Sequence, residues 1–429
     1  MKKLYLGVSR EIITPEIGGQ IYGYNPNDFS NAIEDDLTAT AFYFKQGETV
    51  ALMISLTICL IHNDLAKQIL DLIESELGID RKVCMLAATH THSGPNTAGE
   101  VGWGEVDKKY CDEIFIPAIL KVSREAMNNL KAIKMGVSVG DSFVGVNRRQ
   151  IGRKGLAVFG QNPDAPLDPR MTVISFKDDD GSIVANMIHY GAHCTAAGEN
   201  KEITRDWPGL MIDAVEKQTG AITAFFNGPE GDIGPRISNG KTTGNLSYVY
   251  ELGEKAAKDA LSIQSEISEF NEAELAVSNK TIYLPLKERI PLEEAKKLYR
   301  KYRWYKANLK GLTKLHALDV IKSYDNGYAD QKDFGVNQTA ICIGDLIFAS
   351  FPFEIFTEIG MKIDDAIAQK RVLSLSNTNG CDGYFISEAA IPYGGYELGV
   401  YLYTRLQQFC DKADSTLIDG TVEHLKNLI

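Results

Sequence analysis

The sequence lacks the features that mark membrane-spanning, disulfide-rich and nucleic-acid-binding proteins. No apolar run approaches the ~18 residues that a membrane-spanning helix needs, so we expect no membrane span. The seven cysteines are odd in number and scattered. None stands in a CxxC motif, which favours reduced thiols over disulfides or a structural zinc site. With a net charge of −12, the surface argues against nucleic acid as a partner.

The amino terminus also lacks the pattern of a secretory signal. Residues 1–7 start with two lysines, but neither a long apolar segment nor a small-residue cleavage site follows before Ser9 and Arg10. Together with the cysteine usage, this absence predicts a cytoplasmic protein without a stable membrane anchor. The composition, 44% hydrophobic and 24% charged, is that of an ordinary globular protein.

The most informative stretch runs from Cys84 to Pro95 and reads CMLAATHTHSGP. Its apolar first half predicts a buried strand that ends near His90 and His92. Residues i and i+2 of a strand point to the same face, so two imidazoles leave the strand end together. Residues 50–90 as a whole predict a β-α-β unit. In open α/β sheets, ligands bind beyond the carboxyl ends of the strands, which is where these histidines fall.

Other chemically useful side chains follow predicted strands later in the chain. Four of the seven histidines fall in two strand-end segments, and further strand ends supply an aspartate, a glutamate and a tyrosine. The residues concerned are His90, His92, His189, His193, Asp232, Glu354 and Tyr384. A metal that assists hydrolysis commonly takes imidazole and carboxylate ligands and keeps a position for water. The pattern therefore favours a zinc-type site.

Each of these residues also has an ordinary structural interpretation. A buried histidine is usually a hydrogen-bonded core residue, which is the interpretation that we prefer for His189. Glu354 would suit the N-terminus of a helix, Tyr384 a hydrophobic core, and Asp232 a cap for its glycine-rich loop. Arg148 would suit an ion pair with a buried acid. Spacing alone does not decide between these interpretations and a metal site.

A series of short motifs resembles the neutral, non-lysosomal ceramidase family, over that family's amino-terminal catalytic domain. The strongest match is ATHTHSGP at 88–95. The weaker matches occur in the family's order: ITP at 13–15, GY at 23–24, VNRR at 146–149, DP and MTV within 168–173, HCT at 193–195, DWPG at 206–209, GD at 231–232, FEIFT at 353–357 and YE at 396–397. We expect no counterpart of the family's carboxy-terminal immunoglobulin-like domain.

The resemblance implies a fold. It is of the α/β class, a layered sandwich of mixed β-sheets covered by helices in αββα order. We expect one catalytic domain over residues 1–429, with a helical excursion at about 287–325.

The same resemblance assigns roles to individual residues. It implies zinc as the cofactor, with four ligands and two groups on the substrate side, His92 and Arg148. The four ligands would be His90, His193, Glu354 and Tyr384. His92 would act on the oxyanion or the proton, Arg148 would stabilise the oxyanion, and Asp232 is a further candidate for the proton.

One position departs from the family pattern. The family's GDVSP loop carries a serine implicated in catalysis or substrate contact, whereas residues 231–235 read GDIGP here. Gly234 has no hydroxyl group, so a serine-centred acyl mechanism is not expected. Hydrolysis by a metal-activated water needs only the metal ligands, and all four are present.

The sequence therefore predicts a zinc-dependent hydrolase of an amide or ester bond in a small-molecule substrate, and membrane ceramide is not the expected substrate. Two alternatives stay open. The same scaffold could cleave a glycoside or a phosphoester, because fold does not fix function. The chain could also bind a ligand or a metal without turnover, as the glycine at position 234 would allow.

Overall fold

The computed structural model of the chain describes residues 2–100, 103–306 and 308–429. The helices are α1 (Asn63–Leu77), α2 (Lys108–Tyr110), α3 (Ile116–Asn128), α4 (Trp207–Thr219), α5 (Leu246–Ser265), α6 (Leu292–Tyr302), α7 (Asn308–Asp325), α8 (Thr357–Asp365), α9 (Tyr396–Tyr403) and α10 (Ala413–Lys426). A π-helical turn, Cys111–Phe115, joins α2 to α3.

The strands are β1 (Tyr5–Ile12), β2 (Ile21–Tyr22), β3 (Ala32–Ile33), β4 (Thr38–Gln46), β5 (Thr49–Leu56), β6 (Cys84–Ala88), β7 (Gly94–Pro95), β8 (Lys131–Asp141), β9 (Gly145–Asn147), β10 (Arg149–Ile151), β11 (Ala157–Phe159), β12 (Arg170–Asp178), β13 (Ile183–Tyr190), β14 (Glu202–Ile203), β15 (Ile222–Asn227), β16 (Ile233–Pro235), β17 (Leu275–Pro285), β18 (Asp333–Ile343), β19 (Leu346–Ser350), β20 (Glu354–Ile355), β21 (Arg371–Leu375) and β22 (Tyr384–Phe385).

Two mixed sheets form the centre of the molecule. The larger has eight strands in the order β15-β13-β12-β8-β1-β4-β5-β6, and the smaller has four in the order β17-β18-β19-β21. Most neighbouring strands are antiparallel, and the parallel pairs include β5–β6, β13–β15 and β19–β21. The β5-α1-β6 connection confirms the β-α-β unit that was predicted over residues 50–90.

The two sheets pack face to face over an apolar layer. Phe42, Phe176 and Phe226 of the larger sheet are buried in one cluster with Ile341 and Phe348 of the smaller sheet. Burying one such side chain contributes roughly 1.5–3 kcal/mol, so this layer is a main source of the attraction between the sheets.

Helices cover the two outer faces. Ile69 of α1 and Ile119 of α3 pack on the larger sheet, and Trp207 of α4 and Leu252 of α5 cover another part of that sheet. α8 and α10 pack on the smaller sheet through a separate apolar cluster, which includes Ile359. The layers follow the order αββα, which confirms the predicted fold class.

Two local features lead towards the site. The N-cap of α1 is His62, whose Nδ1 accepts the N–H of Asp64 at 3.2 Å. The next residue, Asn63, donates its side-chain N–H to the Asp382 carboxylate at 2.8 Å. The second feature follows β8. β8 ends in the larger sheet, and the next strand, β9, pairs with β16 outside that sheet. This change of partner turns the chain towards the site.

The helical segment predicted near residues 287–325 contains α6 and α7, which pack against each other, and α7 also packs on α9. No helix within the described ranges is long and apolar enough to cross a membrane. All seven cysteines are free thiols, as their scattered spacing predicted.

Candidate metal centre

Two loops, one after β6 and one after β13, carry the histidines of the site. A parallel bridge between Thr91 and Cys194 joins these loops. It places the rings of His90 and His193 only 4.5 Å apart between centroids. His90 has a φ of 71°, a left-handed conformation that costs a non-glycine residue roughly 1–2 kcal/mol. Strain of this kind accompanies side chains that the surrounding structure aims at a site.

Glu354 brings a carboxylate to the two histidines. Its strand, β20, pairs in parallel with β22, which sets Glu354 opposite Tyr384. Glu354 Oε2 lies 3.3 Å from His90 Nε2 and 3.1 Å from His193 Nε2. Three atoms that could bind a metal therefore lie within 4.8 Å of one another, and all three side chains are buried.

The far side of each imidazole ring determines which nitrogen carries the proton. His193 Nδ1 lies 2.8 Å from the Glu230 carbonyl oxygen and 3.1 Å from that of Ile233. His90 Nδ1 lies 3.1 Å from the Cys59 carbonyl oxygen. Carbonyl oxygens only accept hydrogen bonds, so each Nδ1 donates and each Nε2 keeps a lone pair in the neutral ring. Ligand histidines commonly have this arrangement.

The two Nε2 lone pairs point at an oxygen that is itself an acceptor. Glu354 Oε2 is buried, and while both rings are neutral with Nδ1 protonated, neither Nε2 has a hydrogen to donate to it. Three acceptors that converge in a buried place repel one another unless a proton or a metal cation lies between them. Two imidazoles and one carboxylate are a ligand set that suits zinc. The residues present therefore fit the metal that the sequence implied.

The pKa values follow from burial and from the neighbouring charges. Burial and the cation Arg148 lower the pKa of His193 to about 3. Burial also disfavours the charged form of His90, but Cys59 and Glu354 outweigh it and hold the pKa of His90 well above its usual value. Burial opposes ionisation of Glu354, yet the two histidines keep its pKa well below the usual range. In the metal-free protein, one proton on His90 Nε2 thus relieves the repulsion.

His92 lies beside this cluster and differs from His90 in its surroundings. Its Nε2 is 3.2 Å from His90 Nε2, and its ring packs against Tyr24 at 5.1 Å between centroids. A Cβ on Gly23 would lie 2.5 Å from His92 Nδ1, so only glycine leaves room for this ring. Burial and the two neighbouring histidines keep the pKa of His92 well below its usual value. The ring is therefore neutral.

Arg148 and Tyr384 meet on the other side of His193. Arg148 Nη2 donates to the Tyr384 hydroxyl at 2.8 Å, and that oxygen lies 3.5 Å from His193 Nε2. Glu397 accepts from Arg148 Nε at 3.0 Å and from Arg149 Nη1 at 2.6 Å. Burial raises the pKa of Tyr384 well above its usual value although Arg148 opposes this. The hydroxyl is thus neutral and fixed in place by a buried guanidinium.

The structure gives Asp232 a different set of contacts from the two histidines, and its role in proton transfer stays a prediction. Its Oδ1 accepts the N–H of Thr357 and its Oδ2 accepts the side-chain N–H of Asn147, both at 2.8 Å. It lines a separate cavity with Arg149, and burial raises its pKa to about 7. Because both carboxylate oxygens are engaged, Asp232 connects β9 to the start of α8.

Gly234 lies in β16, opposite Val146 of β9. A Cβ at this position would lie 2.6 Å from the Cβ of Thr242, which is closer than two side chains can pack. The space that a serine hydroxyl would need at position 234 is therefore occupied by the Thr242 side chain.

The cluster opens into a cavity of about 230 Å³. His90, His92, Glu354 and Tyr384 line one part of it, and the remaining wall is a mixture of aromatic, acidic and small residues. That wall includes Tyr22, Cys59, Glu100, Trp103, Leu312, Asp382, Tyr396 and Arg405. Within it, the Tyr22 hydroxyl donates to the Glu100 carboxylate. Aromatic faces combined with carboxylates suit a polar organic molecule.

Reasoning from the sequence missed three buried residues around the cluster. Glu397 was noticed only as part of a motif, and its bond to two arginines was not foreseen. Glu230 precedes Asp232 by two residues in the same glycine-rich loop. Asn377 follows β21 with a φ of 49°, a conformation that asparagine tolerates better than most residues. Its signal was the run SNTNG at 376–380, which is rich in residues that favour turns.

No family model matches the chain. Among curated proteins, the chain is 26% identical to neutral ceramidase A of Dictyostelium discoideum over 319 residues, which are 63% of this chain and 43% of that protein. It is 25% identical to neutral ceramidase B of the same organism over 246 residues, which are 50% of this chain and 33% of that protein. The chain is thus similar to neutral ceramidases over these residues.

Two solved structures share the fold of this chain. The neutral ceramidase from Pseudomonas aeruginosa superimposes with a TM-score of 0.77 at 17% identity, over 99% of this chain and 74% of that one. A ceramidase complexed with C2 gives the same TM-score at 16% identity, over 100% of this chain and 76% of that one. The resemblance to the neutral ceramidase family is thereby confirmed. The chain spans less than half the length of the curated proteins it matches.

Proposed function

We propose that this protein is a zinc-dependent hydrolase that cleaves the amide or ester bond of a small acylated compound. The observation that carries the proposal is the convergence of His90 Nε2, His193 Nε2 and Glu354 Oε2 within 4.8 Å of one another in a buried place. A divalent cation satisfies all three atoms at once. The similarity to neutral ceramidases, whose names describe amide hydrolases, supports the same class of reaction.

His90, His193 and Glu354 would hold the metal, and the Tyr384 hydroxyl is close enough to serve as a fourth ligand or as a neighbouring donor. Bound zinc acts as a Lewis acid and lowers the pKa of water to about 7. The Nδ1–H groups of the two histidines, held by backbone carbonyls, would keep both rings in the orientation that binding requires.

The remaining side chains have roles that follow from their charge. His92 is neutral and lies at the cavity wall, so it can take up a proton from an attacking water. Arg148 points its guanidinium at the Tyr384 hydroxyl, which polarises that O–H towards an oxygen on which negative charge develops. Asp232 takes no part in this scheme, because its carboxylate is bound elsewhere.

The size of the cavity supports a small substrate. Its volume of about 230 Å³ is below the roughly 300–1,000 Å³ of most drug-sized ligand sites. A compound with a short acyl group and a polar leaving group fits this volume better than a lipid with two long chains. The acidic and aromatic residues of the wall also favour hydroxyl or amino groups on the substrate.

Metal analysis combined with a substrate panel tests this proposal. We expect the purified protein to bind one zinc ion and to hydrolyse short-chain N-acyl amides or esters. His90→Ala and His193→Ala should lose both zinc and activity. His424→Gln is the matched control, because His424 is buried among Gln338 and Ser278, away from the cluster. It should keep its zinc.

Two results would contradict the proposal. If both ligand variants kept stoichiometric zinc, the metal site would be wrong. If the zinc-loaded protein cleaved a phosphoester or a glycoside but no acylated compound, the metal site would stand and the reaction would be a different one.

A further inference from the structure

Glu230 is a buried carboxylate that neither the metal site nor the reaction has so far used. Its exposed fraction is 0%, and within the described ranges it makes no ion pair with a lysine, arginine or histidine. Its Oε2 has no hydrogen-bond partner among the described residues. Burying a carboxyl group without a cation costs several kcal/mol. A residue that only filled this space would be expected to be apolar or a neutral amide.

Two side chains bring donors to this carboxyl group, Ser376 and Asn377, and the second also contacts the His90 ring. Asn377 Nδ2 donates to Glu230 Oε1 at 2.6 Å, and the same nitrogen lies 3.3 Å from His90 Nδ1. Because His90 Nδ1–H donates to Cys59, the amide and the ring meet as packing neighbours. Glu230 therefore holds the amide that abuts the back of the His90 ring.

The backbones of the same two residues reach the segments that carry the other ligands. The Glu230 carbonyl oxygen accepts the Nδ1–H of His193 at 2.8 Å. The Asn377 N–H donates to the Phe353 carbonyl oxygen at 3.1 Å, next to Glu354, and the Asn377 carbonyl oxygen accepts the N–H of Ala88 at 3.2 Å, two residues before His90. Two residues thus contact all three ligand segments.

We propose that Glu230 and Asn377 position the ligand His90 from behind, without binding the metal themselves. We call these two residues the positioning pair. On this view Asn377 fixes the plane of the His90 ring, and the Glu230 carboxyl group holds the Asn377 amide in place. The inference rests on the proposed function, since it concerns the same metal.

Zinc affinity in three variants tests the pair. Glu230→Gln keeps the volume but replaces one acceptor oxygen with an amide N–H₂ group, which weakens the hold on Asn377 Nδ2. Asn377→Gly removes the amide, and glycine suits a φ of 49°. Outer-layer partners of ligand histidines typically contribute 10- to 100-fold to metal affinity, so we expect each variant to bind zinc about 10- to 100-fold more weakly. Because the two residues act through one contact, the zinc affinity of the double variant should fall by less than the product of the two single-variant fold losses.

Asn379→Gly is the matched control. Asn379 lies in the same loop with a φ of 65°, and its side chain bonds the backbone of Leu86 and Cys84 at 2.8 and 2.9 Å without touching a ligand. We expect it to keep zinc affinity within about twofold, even if its melting temperature falls. The absorption spectrum of the cobalt-substituted protein should shift in Glu230→Gln and Asn377→Gly and stay unchanged in the control.

The outcomes separate this inference from the proposed function. It would be overturned if Glu230→Gln and Asn377→Gly bound zinc as tightly as the unaltered protein, or lost no more affinity than Asn379→Gly. Purely multiplicative losses in the double variant would also overturn it. An unaltered protein that binds zinc but cleaves no acylated compound would contradict the proposed function and leave the positioning pair standing.

Discussion

Glu354 and Tyr384 lie directly opposite each other in a parallel pair of two-residue strands, and both side chains reach His193 Nε2. The carboxylate oxygen is 3.1 Å from that nitrogen and the hydroxyl oxygen is 3.5 Å from it. The two groups differ in charge, because Glu354 is ionised whereas burial keeps the Tyr384 hydroxyl neutral. Their contributions to metal binding should therefore differ.

We expect Glu354→Gln to weaken zinc binding at least 100-fold and Tyr384→Phe to weaken it no more than about tenfold, because only the first removes a charged ligand. Turnover of Tyr384→Phe at saturating zinc should nevertheless fall on the order of 100-fold, the usual loss when a donor to the developing oxyanion is removed. Titration against a competing chelator and initial rates measure the two effects. Equal losses of zinc affinity in both variants would contradict the distinction.

We expect zinc binding to release about one proton from the protein. His90 and Glu354 share a proton in the metal-free protein, since the pKa of His90 is well above and that of Glu354 well below the usual value. The cation must displace this proton. Zinc affinity should therefore rise with pH until the pKa of His90 is passed, and fall as the solution is acidified.

Calorimetry of zinc binding in two buffers of different protonation enthalpy measures that proton. His193 and His92 contribute little above pH 6, because burial keeps the pKa of each below its usual value. A binding enthalpy independent of the buffer would show that His90 is already neutral without metal.

Some of the site was predictable because its residues follow long, strongly patterned strands. The apolar run of β6 and the strand β13 predicted where His90 and His193 would leave the sheet. Glu354 and Tyr384 were harder to place, because β20 and β22 are two residues long and carry no periodicity of their own. The resemblance to a family, rather than any pattern, singled them out.

Asp232 and Glu230 show what the sequence could not resolve. Both are buried carboxylates of one glycine-rich loop, two residues apart. Which of the two turns towards the histidines depends on the local path of the loop. The pairing of β16 with β9 and the hydrogen bond from Gly231 to the Ile355 carbonyl oxygen set this path. Such long-range contacts leave no local signature, so the sequence alone does not show which carboxylate lies next to the histidines.

Glu397→Gln should destabilise the fold more than any surface charge change. Glu397 is buried and accepts from both Arg148 and Arg149, so its neutral analogue leaves two buried cations without a counter-ion. Removing one partner of a buried ion pair costs roughly 3–5 kcal/mol, and we expect about 3 kcal/mol because backbone carbonyls still bind Arg149. Urea unfolding measures the change.

Asp71→Asn is the control for that prediction, because it removes the exposed ion pairs of Asp71 with Lys67 and Arg81. Exposed pairs contribute little to stability, so its urea midpoint should stay close to that of the unaltered protein. Equal shifts in Glu397→Gln and Asp71→Asn would contradict a structural role of the buried charge.

Placing a serine at position 234 should not create a serine-centred mechanism. A Cβ at position 234 would lie 2.6 Å from the Thr242 Cβ, and forcing extra atoms into a packed interior typically costs 1–3 kcal/mol. We therefore expect Gly234→Ser to lower the free energy of unfolding by about that amount without raising hydrolysis. Adding Thr242→Ala should recover most of the stability by vacating the space. If Gly234→Ser alone were as stable as the unaltered protein and more active, the loss of the serine would be functional rather than steric, and the explanation from Thr242 would fail.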